Sequence, residues 1–521
     1  MYQVYVRSFA DSNDDGVGDL PGLLGRLEYL AWLGVDAIWL SPTMPSPNAD
    51  WGYDVADYCA VLPEYGTLDD LDEVIAEAGR VGIRVMLDLV PNHTSDHHAW
   101  FVDSRPSVDA EHRDWYVWAD PKPDGSPPNN WVSTFGGPAW TLDPATGQYY
   151  LHNFLPEQPD LNWWNGDVRD AFDDILRFWW DRGVAGFRID VCNMMVKDAA
   201  LRDNPPATED DPFVMQMFGQ RPVYNSDRPE VHDVLQRWRA ISGRYDPPRL
   251  LLGETNVEKL EVLASYYGSG DDELHLGFNF PFIEAPFEAG ALSAIVEETE
   301  AVLPPGAWPV WTGSNHDVSR LATRWCEGDE DKVRLALLML LTLRGTPVLY
   351  QGDEIGLTDG VLTKEQVLDP VGLRFWPYYA GRDPERTPMP WDRTTNGGFT
   401  SAGATAWLPL ADAPMNVAEQ RGDPDSVLHL VRDVIAFRRT SPDLLRGDYL
   451  SSSVGDDVWT WRRGAATLVA LNLSPAPREL SVGDSSPQTV ALSTRRAGEG
   501  PVVGGKVALD AWEGVVVTSR A

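Results

Sequence analysis

The chain has 521 residues, 42 Lys+Arg against 79 Asp+Glu and a formal charge of −37. That length suggests about three domains at roughly 150 residues each, or fewer if one is a large β/α barrel. With 43% hydrophobic and 23% charged residues the composition is globular, which excludes global disorder, and the strong acidity excludes nucleic acid and anionic membrane as partners.

The opening MYQVYVRSFADS has no basic start and no apolar core, so no secretory signal is expected. The stretch LALLMLLTL (335–343) is about half of a ~20-residue membrane span. Cys59, Cys192 and Cys326 are scattered and fit neither a disulfide framework nor a zinc motif. A cytoplasmic protein with an uncharged small-molecule substrate is the expectation.

Strand-like and helix-like patterns alternate over the first four hundred residues. Strand 2–9 is followed by a leucine-striped helix at 20–34, strand 37–42, an acidic-started helix at 68–82 and strand 84–92. Residues 94–160 break the rhythm: they are rich in Pro, Asn, Trp and Tyr without helical period, and read as an inserted irregular domain. Helix 168–183 and strand 186–192 resume the alternation. Helix 231–245, strand 250–256, helix 257–268, strand 274–280, helix 291–303, strand 308–317, helix 329–345 and strand 347–356 continue it, and a final helix follows at 425–440. Eight strands alternating with helices predict a parallel (β/α)8 barrel. No GxGxxG loop supports the open-sheet alternative. Short strands between Gly/Ser/Pro turns after 445 predict a small antiparallel β domain. The expected organisation is a barrel over 1–93 and 161–440, an insert over 94–160 and a C-terminal β-sandwich over 441–521.

In such barrels the C-terminal strand ends face the active site. Asp88, Asn92 and His93 end the third strand, Arg188 and Asp190 the fourth, Glu254 the fifth, His316 and Asp317 the seventh, Asp353 and Glu354 the eighth. One such carboxylate reads as easily as a buried ion pair; several on one face need a chemical reason. Arg188 and Asp190, two apart, share a face, so the guanidinium should keep Asp190 ionised as a nucleophile. Glu254, enclosed among other carboxylates, should keep a proton as general acid. One ionised and one protonated carboxyl group is what glycoside hydrolysis requires. At the N-terminus, DSNDDGVGD (11–19) has oxygen ligands at alternate positions. Asp11, Asn13, Asp15 and the Val17 carbonyl mimic the start of an EF-hand loop with Gly16 sixth, and Asp19 would close the shell at position nine.

The strings DLVPNH (88–93), GFRIDVCN (186–193), GETN (253–256) and SNHD (314–317) resemble the ordered motifs of glycoside hydrolase family 13, the α-amylase superfamily. QPDLNW (158–163), the opening YVRSFADSNDDGVGDLPG and ERTPMPWD (385–392) resemble its α-glucosidase and oligo-1,6-glucosidase group, and the likeness spans roughly residues 2 to 440. It implies Asp190 as nucleophile, Glu254 as acid/base and Asp317 as transition-state stabiliser, with Arg188, His93 and His316 gripping the glucosyl unit. Retention then requires the Asp190 and Glu254 carboxyl groups about 5–5.5 Å apart. In NADWGYDVADY (48–58), Asp50 would bind terminal hydroxyls and Tyr53 would stack on the sugar. Asp50 would pair with Arg386 to seal the pocket, and Phe135 and Phe154 would touch the ring. The resemblance also implies a structural Ca2+ at 11–19 and no catalytic cofactor.

The chain departs from the family in three places. The usual aromatic lead-in before the first strand is absent, so a few residues are expected to be missing. Val191 follows the nucleophile where some α-1,4-selective relatives have Thr, and PERT (384–387) replaces a Gly-Cys-Arg-Thr run. The expectation is a retaining exo-α-glucosidase acting on a small α-glucoside, as a monomer or weak homo-oligomer. A sucrose isomerase or trehalose-forming transferase and an endo-amylase stay open as alternatives. A non-enzymatic relative is disfavoured because the carboxylate trio is intact.

Overall fold

The computed structural model describes residues 1–411, 415–455, 457–483 and 487–519. Eight parallel strand positions follow one another: β1 (Tyr2–Val4), β2 (Ala37–Leu40), β3 (Arg84–Leu89), β4 (Gly186–Ile189), β5 (Leu250–Gly253), β6 (Leu276–Gly277), β7 (Val310–Trp311) and β8, in two pieces at Thr346–Pro347 and Leu349–Tyr350. The first piece of β8 pairs with β7 and the second with β1, so the ladder runs unbroken from β6 back through β1 to β7. Among the described residues only the β6–β7 seam lacks a ladder, and the curled sheet is the predicted barrel. Its late strands are far shorter than the sequence patterns suggested, because the chain turns into site loops as soon as it passes the sheet.

Period-two alternation divides each strand. Trp39, Met86, Leu252, Leu276 and Val310 fill the barrel interior, while Ile38, Leu40, Val85 and Leu87 face the surrounding helices. Those helices are α1 (Leu68–Arg80), α2 (Gly166–Asp181), α3 (Val231–Ser242), α4 (Ala289–Val302), α5 (Glu330–Thr342) and α6 (Val427–Thr440). Thr67 starts α1 through a reciprocal capping box with Asp70, and Asn165 caps α2. The helix predicted at 20–34 is instead two pieces, Leu20–Leu24 and Leu27–Leu33, parted at Gly25.

The apolar run at 335–343 is explained by α5. Every residue from Val333 to Thr342 is buried, because one side meets the barrel and α6 while Leu335 and Leu338 pack beside Gly514 of the C-terminal sheet. Each buried leucine there contributes roughly 1.5–3 kcal/mol. No helix among the described residues is long and apolar enough to cross a membrane.

Between β3 and α2 the insertion carries a small antiparallel sheet, in which Tyr149–Leu151 lies between Trp118–Ala119 and Trp140–Leu142. Bridges His93↔Asp160 and Tyr116↔Leu161 stitch its stem to the end of β3. After α6, strands β9 (Tyr449–Gly455), β10 (Val458–Arg463), β11 (Thr467–Asn472), β12 (Arg478–Ser481), β13 (Gln488–Ser493), β14 (Gly500–Pro501), β15 (Lys506–Leu509) and β16 (Gly514–Ser519) form two antiparallel sheets. Their orders are β9-β10-β11-β16-β13-β14 and β12-β15.

Candidate active site

Register explains how the strand ends converge. Asp88 of β3 and Arg188 of β4 are ladder partners, and Arg188 is level with Leu252 of β5. Two residues on, past the ends of β4 and β5, Asp190 and Glu254 therefore reach the same rim. Arg188 joins all three acids. Its Nη1 donates to Asp88 Oδ1 (2.9 Å) and Asp190 Oδ1 (2.7 Å), and its Nη2 lies 2.7 Å from Glu254 Oε2.

This corrects one expectation. Arg188 alone would hold Asp190 ionised, but burial, joined by the charges of Glu254, Asp88 and Asp317, pushes the Asp190 carboxyl above its ordinary range. Burial also pushes Asp88 up to about 7, against Arg188. One guanidinium faces three buried carboxyl groups, and Asp190 and Asp88 are both harder to ionise than free carboxyls.

Asp317 is the opposite case. Burial favours its neutral form, but His316, Arg382 and Arg386 outweigh burial and hold the carboxyl well below the usual range. Its Oδ1 accepts from Arg386 Nη2 at 2.7 Å and from Arg382 Nη1 at 3.3 Å, while its side chain keeps 28% exposure. Gln3 Nε2 lies 2.7 Å from His316 Nδ1 and must be the donor, which leaves the His316 Nε2 hydrogen to face Tyr53 Oη and Asp317 Oδ2. Burial keeps both site histidines neutral, with His93 lowered to about 3 and His316 further still.

The pocket wall follows from the same residues. The Tyr53 ring stacks on His316 with centroids 5.3 Å apart and planes within 6°. His93 packs on Phe154 (5.1 Å), Phe154 on Phe135 (5.4 Å), and the Arg382 guanidinium lies over Phe135 (5.1 Å). Asp50 is buried at the far end, but its partner is Arg382 and not Arg386: Arg382 Nη2 donates to Asp50 Oδ1 at 2.5 Å and to Asp369 Oδ1 at 2.6 Å. Arg386 lies four residues further along the chain and is spent on Asp317 and the His316 carbonyl (2.8 Å from Nε). The ion pair expected between Asp50 and Arg386 is therefore made by Asp50 and Arg382.

Over residues 3–447 the sequence matches the alpha amylase catalytic domain family. The chain belongs to that family. A probable alpha-glucosidase from Rhizobium meliloti (strain 1021) is 46% identical over 463 residues, which cover 86% of this chain and 83% of the relative. An oligo-1,6-glucosidase from Heyndrickxia coagulans is 36% identical over 493 residues, covering 86% of each chain. Among solved structures, the alpha-glucosyl transfer enzyme XgtA superposes with a TM-score of 0.93 at 42% identity over 100% of this chain and 98% of its own. The trehalulose synthase MutB from Pseudomonas mesoacidophila MX-45 superposes with a TM-score of 0.89 at 33% identity, over 100% and 98%.

Against this alpha-amylase family frame, sequence reasoning missed several residues. Lys197 is buried, with Nζ 2.6 Å from Asn92 Oδ1, 2.8 Å from Asp160 Oδ2 and 3.1 Å from the Met195 carbonyl. It ties the insertion stem to the β3 and β4 ends. Gln158 donates to Asp50 Oδ2 at 3.1 Å, and Asp369 anchors Arg382. A lysine seven residues past Asp190, one of only six in the chain, was a usable signal for the first; the others sit in loops without period.

Asp353 and Glu354, expected at the active-site rim, are structural. Gly352, at φ +94, turns the chain into a short 3-10 helix at Asp353–Ile355. Asp353 accepts from Ser314 Oγ (2.8 Å) and the Tyr350 amide (2.9 Å), and Glu354 from Tyr2 and Tyr29 hydroxyls (2.8 and 2.6 Å). The 11–19 loop is wound by its own side chains, with Asp11 Oδ2 accepting from the Gly16 amide (2.8 Å) and Asp15 Oδ1 from the Val17 amide (2.9 Å). Asp19, the last of the expected ligands, also accepts hydrogen bonds on both oxygens, one from the Gly22 amide as a helix cap and one from Ser12. Among the described residues no three His, Cys, Asp or Glu side chains are grouped as a metal site.

Proposed function

We propose that the protein is a retaining, exo-acting α-glucosidase that releases glucose from the non-reducing end of short α-glucosides such as maltose, isomaltose or sucrose. The observation that carries this reading is the Arg188 fork, with Asp190 and Glu254 on neighbouring strand ends and the ionised Asp317 in the same pocket. Asp190 attacks the anomeric carbon as Glu254 gives a proton to the departing glycosidic oxygen, leaving a β-glucosyl ester on Asp190. Glu254 then takes a proton from water, whose oxygen displaces Asp190 and restores the α configuration.

Asp317 holds sugar hydroxyls as positive charge develops on the ring. Neutral His93 and His316 bond hydroxyls, Tyr53 supports the ring face, and Phe135, Phe154 and Val191 line the way out. Arg386 positions Asp317. The Asp50–Arg382 pair ends the pocket behind the terminal glucose, which argues against an endo-amylase. A sugar hydroxyl in place of water in the second step gives transglucosylation, and the likeness to XgtA over the whole chain favours that as a second activity. The reaction uses no catalytic cofactor. The protein works as a monomer or weak homo-oligomer in the cytoplasm, with neither nucleic acid nor membrane as partner. A structural calcium ion suits the all-oxygen donors Asp11, Asn13, Asp15, the Val17 carbonyl and Asp19, which also caps the helix Leu20–Leu24.

The test is a panel of maltose, isomaltose, sucrose, trehalose and starch with product chromatography. Glucose from the short substrates and almost none from starch is expected. Rapid loss of starch–iodine colour overturns the exo reading, and isomaltulose or trehalulose as main product from sucrose establishes the isomerase.

A further inference from the structure

Along β4 and β5 the main-chain bonds alternate regularly. The Leu250 amide donates to the Ala185 carbonyl (2.9 Å) and the Glu254 amide to the Ile189 carbonyl (2.8 Å). Continued by one residue, that ladder makes the Val191 amide the donor to the Glu254 carbonyl. The structure departs from it at this point. Val191 adopts φ +33 and ψ +48, a left-handed conformation strongly disfavoured for a β-branched residue, and heads the short helix Cys192–Met194. The Glu254 carbonyl is taken instead by Cys192, through its amide at 3.1 Å and its thiol at 3.2 Å. The displaced Val191 amide turns to the Glu254 side chain and donates to Oε2 at 2.8 Å.

Oε2 also lies 2.7 Å from Arg188 Nη2, so two N–H groups converge on one oxygen of the carboxyl. Among the described residues no hydrogen bond is made to Oε1. The two oxygens are therefore unequal, one fixed and one free.

The geometry points to the Val191 main-chain amide as a positioning group for proton transfer: its left-handed turn pins Glu254 Oε2, so that Oε1 carries the proton delivered to the glycosidic oxygen. This rests on Glu254 being the acid/base. The strained conformation is retained because a relaxed extended residue would return its N–H to the ladder and release the carboxyl. The nucleophile and the acid are thus registered to each other through one peptide link, since the Asp190–Val191 peptide carries both the Asp190 carbonyl carbon and the donor to Glu254.

The experiment replaces the residue-191 amide by an ester, with the hydroxy acid of valine introduced at a suppressed stop codon in the full-length protein. That change deletes the N–H and keeps the side chain. Loss of a hydrogen bond to a carboxyl group that gains negative charge as its proton leaves predicts about a tenfold or greater fall in kcat/KM for maltose, whose leaving group needs a proton. For 2,4-dinitrophenyl α-glucoside, whose leaving group needs none, kcat/KM should stay within about twofold. Val191→Gly keeps the N–H and adopts positive φ readily, so its ratio of the two kcat/KM values should remain wild-type whatever its absolute rate. Equal losses on both substrates in the ester variant, or no loss on either, overturn the inference. Glu254→Gln measured alongside separates the two levels. If it still turns over maltose normally, the acid/base reading itself fails. If it loses maltose selectively while the ester variant does not, only the role of Val191 fails.

Discussion

Arg382 meets three carboxylates, those of Asp50, Asp369 and Asp317, and burial would disfavour its charge if they did not surround it. Removing it leaves Asp50 buried and unpaired, which costs about 3–5 kcal/mol when one partner of a buried pair is lost. Arg382→Met is expected to lower kcat/KM for maltose by at least roughly a hundredfold and to lower Tm; unchanged kinetics would remove the pocket-closing role. The residue scale is also where the sequence was least legible. Arg386 stands in a recognisable motif, whereas Arg382 lies in an irregular loop whose path is set by Asp369, thirteen residues earlier. The Asp190 expectation erred for a related reason. Its nearest cation is two residues away in sequence, but the acids that compete for that cation come from β3 and β5, which no local pattern reveals.

The strands and helices were legible because each buries one face and shows a period, as the Trp39, Met86 and Leu252 series does. The loops that end them were not. Gly352 and Val191 both leave the sheet through left-handed turns, which moved Asp353 and Glu354 out of the site and brought the Val191 amide into it. A further element-scale device is His98, which caps the helix Ala99–Ser104 by accepting the Trp100 amide on Nδ1 at 3.1 Å. Burial lowers it from 6.5 to about 4, with a smaller contribution from His112. The unfolded chain protonates this histidine near 6.5 and the native cap does not until about 4, so stability is lost as pH falls through that window. The loss is at most about 3 kcal/mol. His98→Asn preserves a capping acceptor that does not titrate. Its Tm curve from pH 7 to 4.5 should therefore be flatter than that of the wild type, and parallel curves would show that His98 does not contribute to the acid limb.

On the scale of the whole molecule, chain segments far apart in sequence meet at the site. The 11–19 loop is joined to the segment after β8, through the Asp11 amide to the Phe399 carbonyl (2.9 Å) and the Trp407 amide to the Gly16 carbonyl (2.9 Å). Calcium bound there would brace that junction and, at a hundred times its dissociation constant, add about 2.7 kcal/mol to the native state. Calcium should raise Tm and chelator lower it, with Asp15→Ala insensitive to both; no metal by elemental analysis together with an unshifted Tm in Asp15→Ala would dismiss the site. The barrel itself was legible from eight alternating pairs, and its closure through the split β8 was not, since two two-residue pieces show no period. The proposed double displacement requires a covalent glucosyl intermediate on Asp190. The most direct measurement is mass spectrometry of the protein after reaction with 5-fluoro-α-D-glucosyl fluoride, followed by peptide mapping. One fluoroglucosyl group on the peptide containing Asp190, absent in Asp190→Asn, is the expected result; a label on Glu254 or Asp317, or turnover with no covalent adduct, would contradict it.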